Sequence, residues 1–206
     1  MTTTPDGLTI PPAPIQLTGP ALILREWEEA DVPAMVELFD DPAVDRWTPL
    51  RAPFDETAAR AYLDRARGHR DQGRGLQLAI TTDGRRPLGE ILLFPTGAPG
   101  EVELAYAVGA AHRGQGLAGR AVRLITDYAY DSLAATRVIL CISAGNLASA
   151  GVARATGFQL TPAPPISRAG ARDPLHTWLH HRDRPVAGPA STRESGVASE
   201  PVPRTT

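Results

Sequence analysis

The chain has 206 residues, enough for one domain with a sizeable core and tails at either end, and 42% of them are apolar. Its formal charge of −2 offers no basic excess for nucleic acid, and no run approaches the roughly 18–20 apolar residues of a membrane span. The single cysteine, Cys141, excludes an internal disulfide; all 21 basic residues are Arg, so there is no lysine to form a Schiff base or act as a base. The N-terminus lacks the basic-then-apolar order of a secretory signal, and a cytoplasmic location is expected.

Residues 1–19 are rich in Thr and Pro without periodicity and read as an irregular arm, ordered at most near Ile15 and Leu17. A first strand is predicted over 21–25. A helix follows from Asp31, with Val32, Met35, Val36, Leu38 and Phe39 on its apolar stripe. Asp40-Asp41-Pro42 is expected to end it, and 44–49 reads as a loop carrying Trp47. A second helix is predicted from Asp55 to about His69, with Ala58, Ala61, Tyr62 and Ala66 inward. Three strands follow at 76–82, 88–94 and 101–108. Asp83-Gly84 and Pro95-Thr96-Gly97 between them are turn chemistry, so the three form an antiparallel meander. After a helix over 117–132 come a strand at 137–142, a short helix over 146–155, and strands starting at Phe158 and His176. The Pro-rich stretch 162–174 reads as an excursion between these last two. Residues 182–206, rich in Pro, Ala, Ser and Thr, read as a disordered tail. The domain is then 20–181. Its element order, βααβββαβαββ, implies an α+β fold of about seven strands and four helices, with a mixed, mostly antiparallel sheet covered on both faces.

The most informative stretch is His112 to Arg120. It joins the strand-like run 102–108 to the helix starting at Leu117. A glycine-rich turn between strand and helix suits a phosphate: the first N–H groups of a helix have no intrahelical partner, and the helix dipole favours an anion there. Gly114-Gln115-Gly116-Leu117-Ala118-Gly119 spells G-x-G-x-x-G. A dinucleotide site also needs an acidic residue near the end of the next strand, and that strand runs into Ser143-Ala144-Gly145. An NAD(P)-binding oxidoreductase is therefore the lesser alternative.

The same residues also spell Arg113-x-x-Gly116-x-Ala118. With Asn146-Leu147-Ala148-Ser149, then Gly157-Phe158, and the early Leu24-Arg25 pair, this resembles the GNAT superfamily of acetyl-CoA-dependent N-acetyltransferases. Within it, the ribosomal-protein-alanine acetyltransferase-like (RimJ/RimL-type) subgroup is the one resembled, over about residues 20–181. The resemblance implies acetyl-CoA as co-substrate, no metal, and a primary amine as acceptor, either a protein N-terminus or a small molecule. It implies a pyrophosphate held by Arg113, Gly114, Gln115, Gly116, Leu117 and Ala118, and a pantetheine arm paired to Tyr106, Ala107 and Val108. It also implies an Asn146 contact to that arm, Ser149 near the sulfur, and Trp47 in a loop lining the acceptor site. Homodimers are common among such relatives.

The chemistry needs a base for the amine, donors for the oxyanion and help for the departing thiolate. Alternation along 102–108 puts Glu103, Ala105 and Ala107 on one small, open face, which makes Glu103 the candidate base, directly or through water. Ser149 is the candidate beside the leaving group. Each has a plainer reading, as a solvated sheet Glu and a passive helix Ser. Asn146 is a good helix N-cap by itself. Asp45 and Asp55 are charged loop residues that an amine would suit. His176, His180 and His181 lack acidic or Cys partners at metal-ligand spacing. A non-catalytic acyl-CoA sensor built on the same loop is the main alternative to an enzyme.

Overall fold

The computed structural model describes residues 8, 10–11 and 14–182. Among these residues, eight strands form one sheet: β1 (Gln16–Gly19), β2 (Leu22–Glu26), β3 (Leu76–Thr81), β4 (Gly89–Pro95), β5 (Glu101–Val108), β6 (Arg137–Ser143), β7 (Gln159–Leu160) and β8 (Leu175–His180). Their spatial order is β1-β2-β3-β4-β5-β6-β8-β7, so β8 lies between β6 and β7. Every neighbouring pair is antiparallel except β5–β6. Five α-helices cover the sheet: α1 (Val32–Phe39), α2 (Pro42–Trp47), α3 (Glu56–Asp71), α4 (Leu117–Ser132) and α5 (Leu147–Ala155).

The α+β architecture is as expected, with one more strand and one more helix than the sequence suggests. The extra strand is Gln16–Gly19, inside the stretch read as an irregular arm. It pairs with β2 around the turn at residues 20–21. Most of that arm, and the tail beyond Arg182, lie outside the described residues. The extra helix is α2, where a loop was expected. Pro42 does stop α1, yet it also starts α2, because a helix has no use for the N–H that proline lacks at its first position. Asp41 caps α2, accepting from the N–H groups of Ala43 and Val44 at 2.8 and 3.0 Å.

Strand alternation divides the core in two. On one face Leu78, Ile80, Ile91, Leu93, Val102 and Leu104 pack under α4 and α5. On the other, Ala79 and Ala107 meet an aromatic-rich cluster from α1 and α3, with Phe39, Phe54 and Tyr62 edge to face. In α3 the buried residues are Ala59, Tyr62, Leu63 and Ala66. The expected Ala58 and Ala61 are half-buried and exposed instead, a shift of the buried stripe by about one residue. Arg25 closes the start of the second cluster. It forks onto Asp31 at 2.6 and 2.9 Å and donates to the Gly84 and Arg85 carbonyls, so this buried charge is fully paired.

One irregularity positions the site. The parallel pairing of β5 and β6 runs only from Glu101–Arg137 to Leu104–Leu140. β5 continues to Val108 and β6 to Ser143, the latter still paired to β8. Among the described residues, the β6-facing edge of β5 therefore has no strand partner from Ala105 onward.

Candidate active site

That free edge opens into a groove of about 530 Å³. Tyr106, Ala107 and Val108 form its floor, the 113–119 turn and the start of α4 one wall, and Asn146, Ala148, Ser149 and Val152 of α5 another. Val44, Trp47 and Thr48 of α2 close the end nearest the second core. The sequence-derived cofactor residues are thus brought together, with Gln115 alone absent from the groove lining.

The turn is built for an anion. Gly114 and Gly116 have φ of +77° and +71°, values that favour glycine. A Cβ on either would meet nothing within 4 Å, so it would project into open space in front of the turn. Among the described residues, no backbone or side-chain acceptor takes the N–H groups from Gly114 to Gly119. The first to be used is that of Arg120, bonded to the Gly116 carbonyl at 3.1 Å. Six consecutive free donors at the head of a 16-residue helix form a fixed, non-titrating positive site. The Arg113 side chain does not add to it. Its guanidinium donates to the Val108 carbonyl at 3.0 Å and to Asp41 at 2.9 Å, which ties the turn to the end of β5 and the start of α2. Those same contacts, with the amides of Ala43 and Val44, hold the Asp41 carboxyl below its usual range against the opposing effect of burial.

Asn146 accepts from the Ser149 N–H at 3.1 Å and so caps α5. The Ser149 carbonyl accepts from the Tyr106 hydroxyl at 3.3 Å across the gap between β5 and α5. Sequence reasoning used only the backbone of Tyr106, yet its phenol lines the groove beside Ser149; burial pushes its pKa up.

Glu103 corrects an expectation. Its carboxylate is not on an open face: it is 4% exposed and lines a separate cleft of about 380 Å³. Arg168 clamps it with two bonds, at 2.5 and 2.8 Å. In this arrangement both carboxylate oxygens are engaged by the guanidinium. Arg168 stands in the Pro-rich excursion, 65 residues away, and no local signal marked it. Its Nη2 also lies 3.7 Å from the Cys141 sulfur. Burial and the Glu103 charge push the Cys141 thiol up to about 11, which makes it a poor nucleophile.

The excursion is stapled to α2. Arg172 pairs with Asp45 and Arg46 with Asp173, each at 2.5 Å, and Arg51 donates to the Gly170 carbonyl. Asp45 is therefore occupied, and Asp55 is the N-cap of α3. Trp47 is 38% exposed, with the Arg46 guanidinium 4.3 Å over its ring and its edge against Gly145.

A second buried carboxylate was missed. Glu90 of β4 stands opposite Ala107 and is 2% exposed. It accepts from Trp27 Nε1 at 3.0 Å and from the Tyr62 hydroxyl at 2.7 Å. Desolvation raises its pKa to about 7, against the pull of these two donors.

The sheet is thus mixed, and its strands β5 and β6 part beside a donor-rich turn. Solved structures of the same fold include RimJ of Mycobacterium smegmatis in complex with CoA-disulfide, at 20% identity over 82% of this chain and 86% of that one, TM-score 0.69. They also include the ribosomal-protein-S5-alanine acetyltransferase of Vibrio fischeri, at 15% identity, 82% and 97% coverage and TM-score 0.68. RimL, the ribosomal L7/L12 α-N-protein acetyltransferase in complex with coenzyme A, matches at 18% identity, 82% and 99% coverage and TM-score 0.69. A sequence model of the acetyltransferase (GNAT) domain matches residues 21–159, and the chain belongs to the GNAT acetyltransferase family. It is an acetyl-CoA-dependent N-acetyltransferase acting on an amine, and the sensor and dinucleotide readings are not favoured. No helix among the described residues is long and apolar enough to cross a membrane.

Proposed function

We propose that this enzyme transfers acetyl from acetyl-CoA directly to a primary amine while both are bound, with the groove as the coenzyme A site. The single observation that carries the reading is the run of six unbonded N–H groups, Gly114 to Gly119, facing a groove continuous with the partnerless edge of β5. The diphosphate lies on the amides. The pantetheine adds to Ala105–Val108 as a strand would, with Asn146 and Ser149 on its far side. A β5 edge N–H near Tyr106–Val108 then donates to the tetrahedral oxyanion. Glu103 removes the ammonium proton once Arg168 has released it, and Ser149 or the Tyr106 hydroxyl helps the thiolate leave. Trp47 lines the acceptor entrance. The likeness to RimJ and RimL favours a protein N-terminal amine as acceptor and a place in that subgroup. The reading also takes 20–181 as the catalytic domain, in the cytoplasm, and a homodimer in solution.

The test is calorimetric titration of acetyl-CoA into wild type and Gly116→Asp, followed by thiol release over a panel of amines. Binding is expected to vanish in the variant with the fold intact by circular dichroism. Unchanged affinity removes the turn from the site.

A further inference from the structure

The Glu103–Arg168 pair sets a problem that the acceptor has to solve. A carboxylate this buried is strongly destabilised when its only cation leaves, unless another replaces it. The incoming amine is a cation at neutral pH and is itself that replacement. Arg168 is the partner free to move. Its side chain is 40% exposed and extends from the 162–174 excursion, whereas the Glu103 side chain is 5% exposed on a central strand. Once displaced, the guanidinium is a cation beside the bound amine, and no described residue offers it a free carboxylate. Among the described residues of this wall, Glu101 pairs with Arg137 and accepts from Thr96, Asp45 pairs with Arg172, and Asp173 pairs with Arg46 and accepts from Ser143.

We propose that the acceptor brings that anion: the enzyme selects primary amines with a carboxylate close to the amine, and Arg168 receives it. Glu103 and Arg168 present opposite charges side by side on one cleft, the order that an ammonium beside a carboxylate complements. In an α-amino acid the amine nitrogen and the carboxylate oxygens are separated by about 3 Å, as standard bond lengths dictate. Such a zwitterion exchanges two ion pairs for two, ammonium on Glu103 and carboxylate on Arg168. The cleft walls of Phe94, Ile139 and Ile166 are apolar and take the side chain, and about 380 Å³ suits a group of that size. The acidic group belongs either to a free amino acid or to a peptide with an acidic residue next to its N-terminus.

This selection rests on the base role proposed for Glu103. The ammonium gives one proton to Glu103, and its freed lone pair forms the N–C bond to the acetyl carbonyl. The C–S bond then breaks. The thiolate takes the second proton, shed by the new amide nitrogen, and Glu103 returns its own to water.

Matched probes test it. Phenylalanine is compared with phenethylamine, and a tetrapeptide with Asp at its second position is compared with its Asn counterpart. For each, kcat/KM is measured by thiol release, with the product checked by mass. Wild type is expected to favour the carboxylate member of one pair by tenfold or more, and the pair that responds identifies the source. Arg168→Ala should bring that ratio within twofold, through a KM that rises for the acidic member and not for the neutral one. Arg168→Lys should restore part of the ratio. A neutral member as good as the acidic one overturns the proposal, as does failure of every carboxylate-bearing amine to react, or an equal loss from both members in a folded Arg168→Ala. If Arg168→Ala does not fold, the wild-type ratios decide alone. The base role is judged separately. Should Glu103→Gln keep the wild-type pH–rate profile while the carboxylate preference persists, Glu103 is not the base and the Arg168 assignment stands.

Discussion

The two halves of the site are prepared in opposite ways. The half proposed for the cofactor is made of backbone: among the described residues, six donors without acceptors, two left-handed glycines and a strand edge without a neighbour. Its charged side chains are turned to bracing, as Arg113 on Asp41 shows. The half proposed for the acceptor is made of charged side chains, and they are already spent on one another, as Glu103–Arg168, Asp45–Arg172 and Arg46–Asp173. Backbone dipoles hold their direction without a ligand, so the first half would need no rearrangement to bind. Ion pairs close on themselves when nothing else is present, so the second would have to be opened by whatever binds there.

The sharpest break in this comparison is Gly116→Asp, which puts bulk and negative charge where the diphosphate lies. Acetyl-CoA affinity should fall by more than about a hundredfold, as several charge-assisted bonds are lost together, and calorimetry reads it directly. Next is Glu103→Gln. Turnover should fall by roughly 10²-fold or more and the rise of rate with pH should flatten, as expected when a general base is removed. Cofactor affinity should hold, since Glu103 is not in the groove.

Glu90 sharpens the contrast from the side of stability. It shares a sheet face with Glu103 but has two neutral donors in place of a guanidinium, and burial raises its pKa to about 7 against the pull of those donors. The folded chain therefore holds this proton more tightly than the unfolded one, whose carboxyl titrates near 4.5. The stability it contributes is complete below that value and is lost as pH rises through about 7. Thermal melts of wild type should drop between pH 5 and 8 by an amount worth at most about 3 kcal/mol. In Glu90→Gln that drop should largely disappear, and a parallel fall in both proteins would remove Glu90 as its source.

Smaller still is Asp45→Asn, which opens one staple of the acceptor loops. The Arg172 side chain is 45% exposed, so the pair contributes about 1 kcal/mol or less to stability. The effect should appear as a few-fold change in acceptor KM that fades at high salt. Ser149→Ala should cost least: turnover falls a few-fold if the hydroxyl assists the thiolate, while Tyr106 remains in place.

The cofactor half was legible because its signals are local. A strand, a glycine turn and a helix follow one another within about 30 residues, and each has its own pattern: alternation at 102–108, Arg113-x-x-Gly116-x-Ala118, then an apolar stripe from Leu117. The helix starts at Asp55 and Asn146 were equally readable, since a cap acts within three residues. Pro42 was misread because one residue performs two local tasks, stopping α1 and starting α2. The Gln16–Gly19 strand was missed because four residues, only partly buried, make no periodic pattern.

The sequence alone determined the α+β order, the glycine turn between strand and helix, and the membership of one sheet face that puts Glu103, Ala105 and Ala107 together, because such features depend on near neighbours and on fixed helical and strand periods. Only the tertiary structure decided that Glu103 is clamped by Arg168, that Asp45 is held by Arg172 across 127 residues, and that Trp27 and Tyr62 converge on Glu90. Ion pairs between distant loops have no repeat to betray them; they exist only once the chain has folded and each buried charge has had to find a partner.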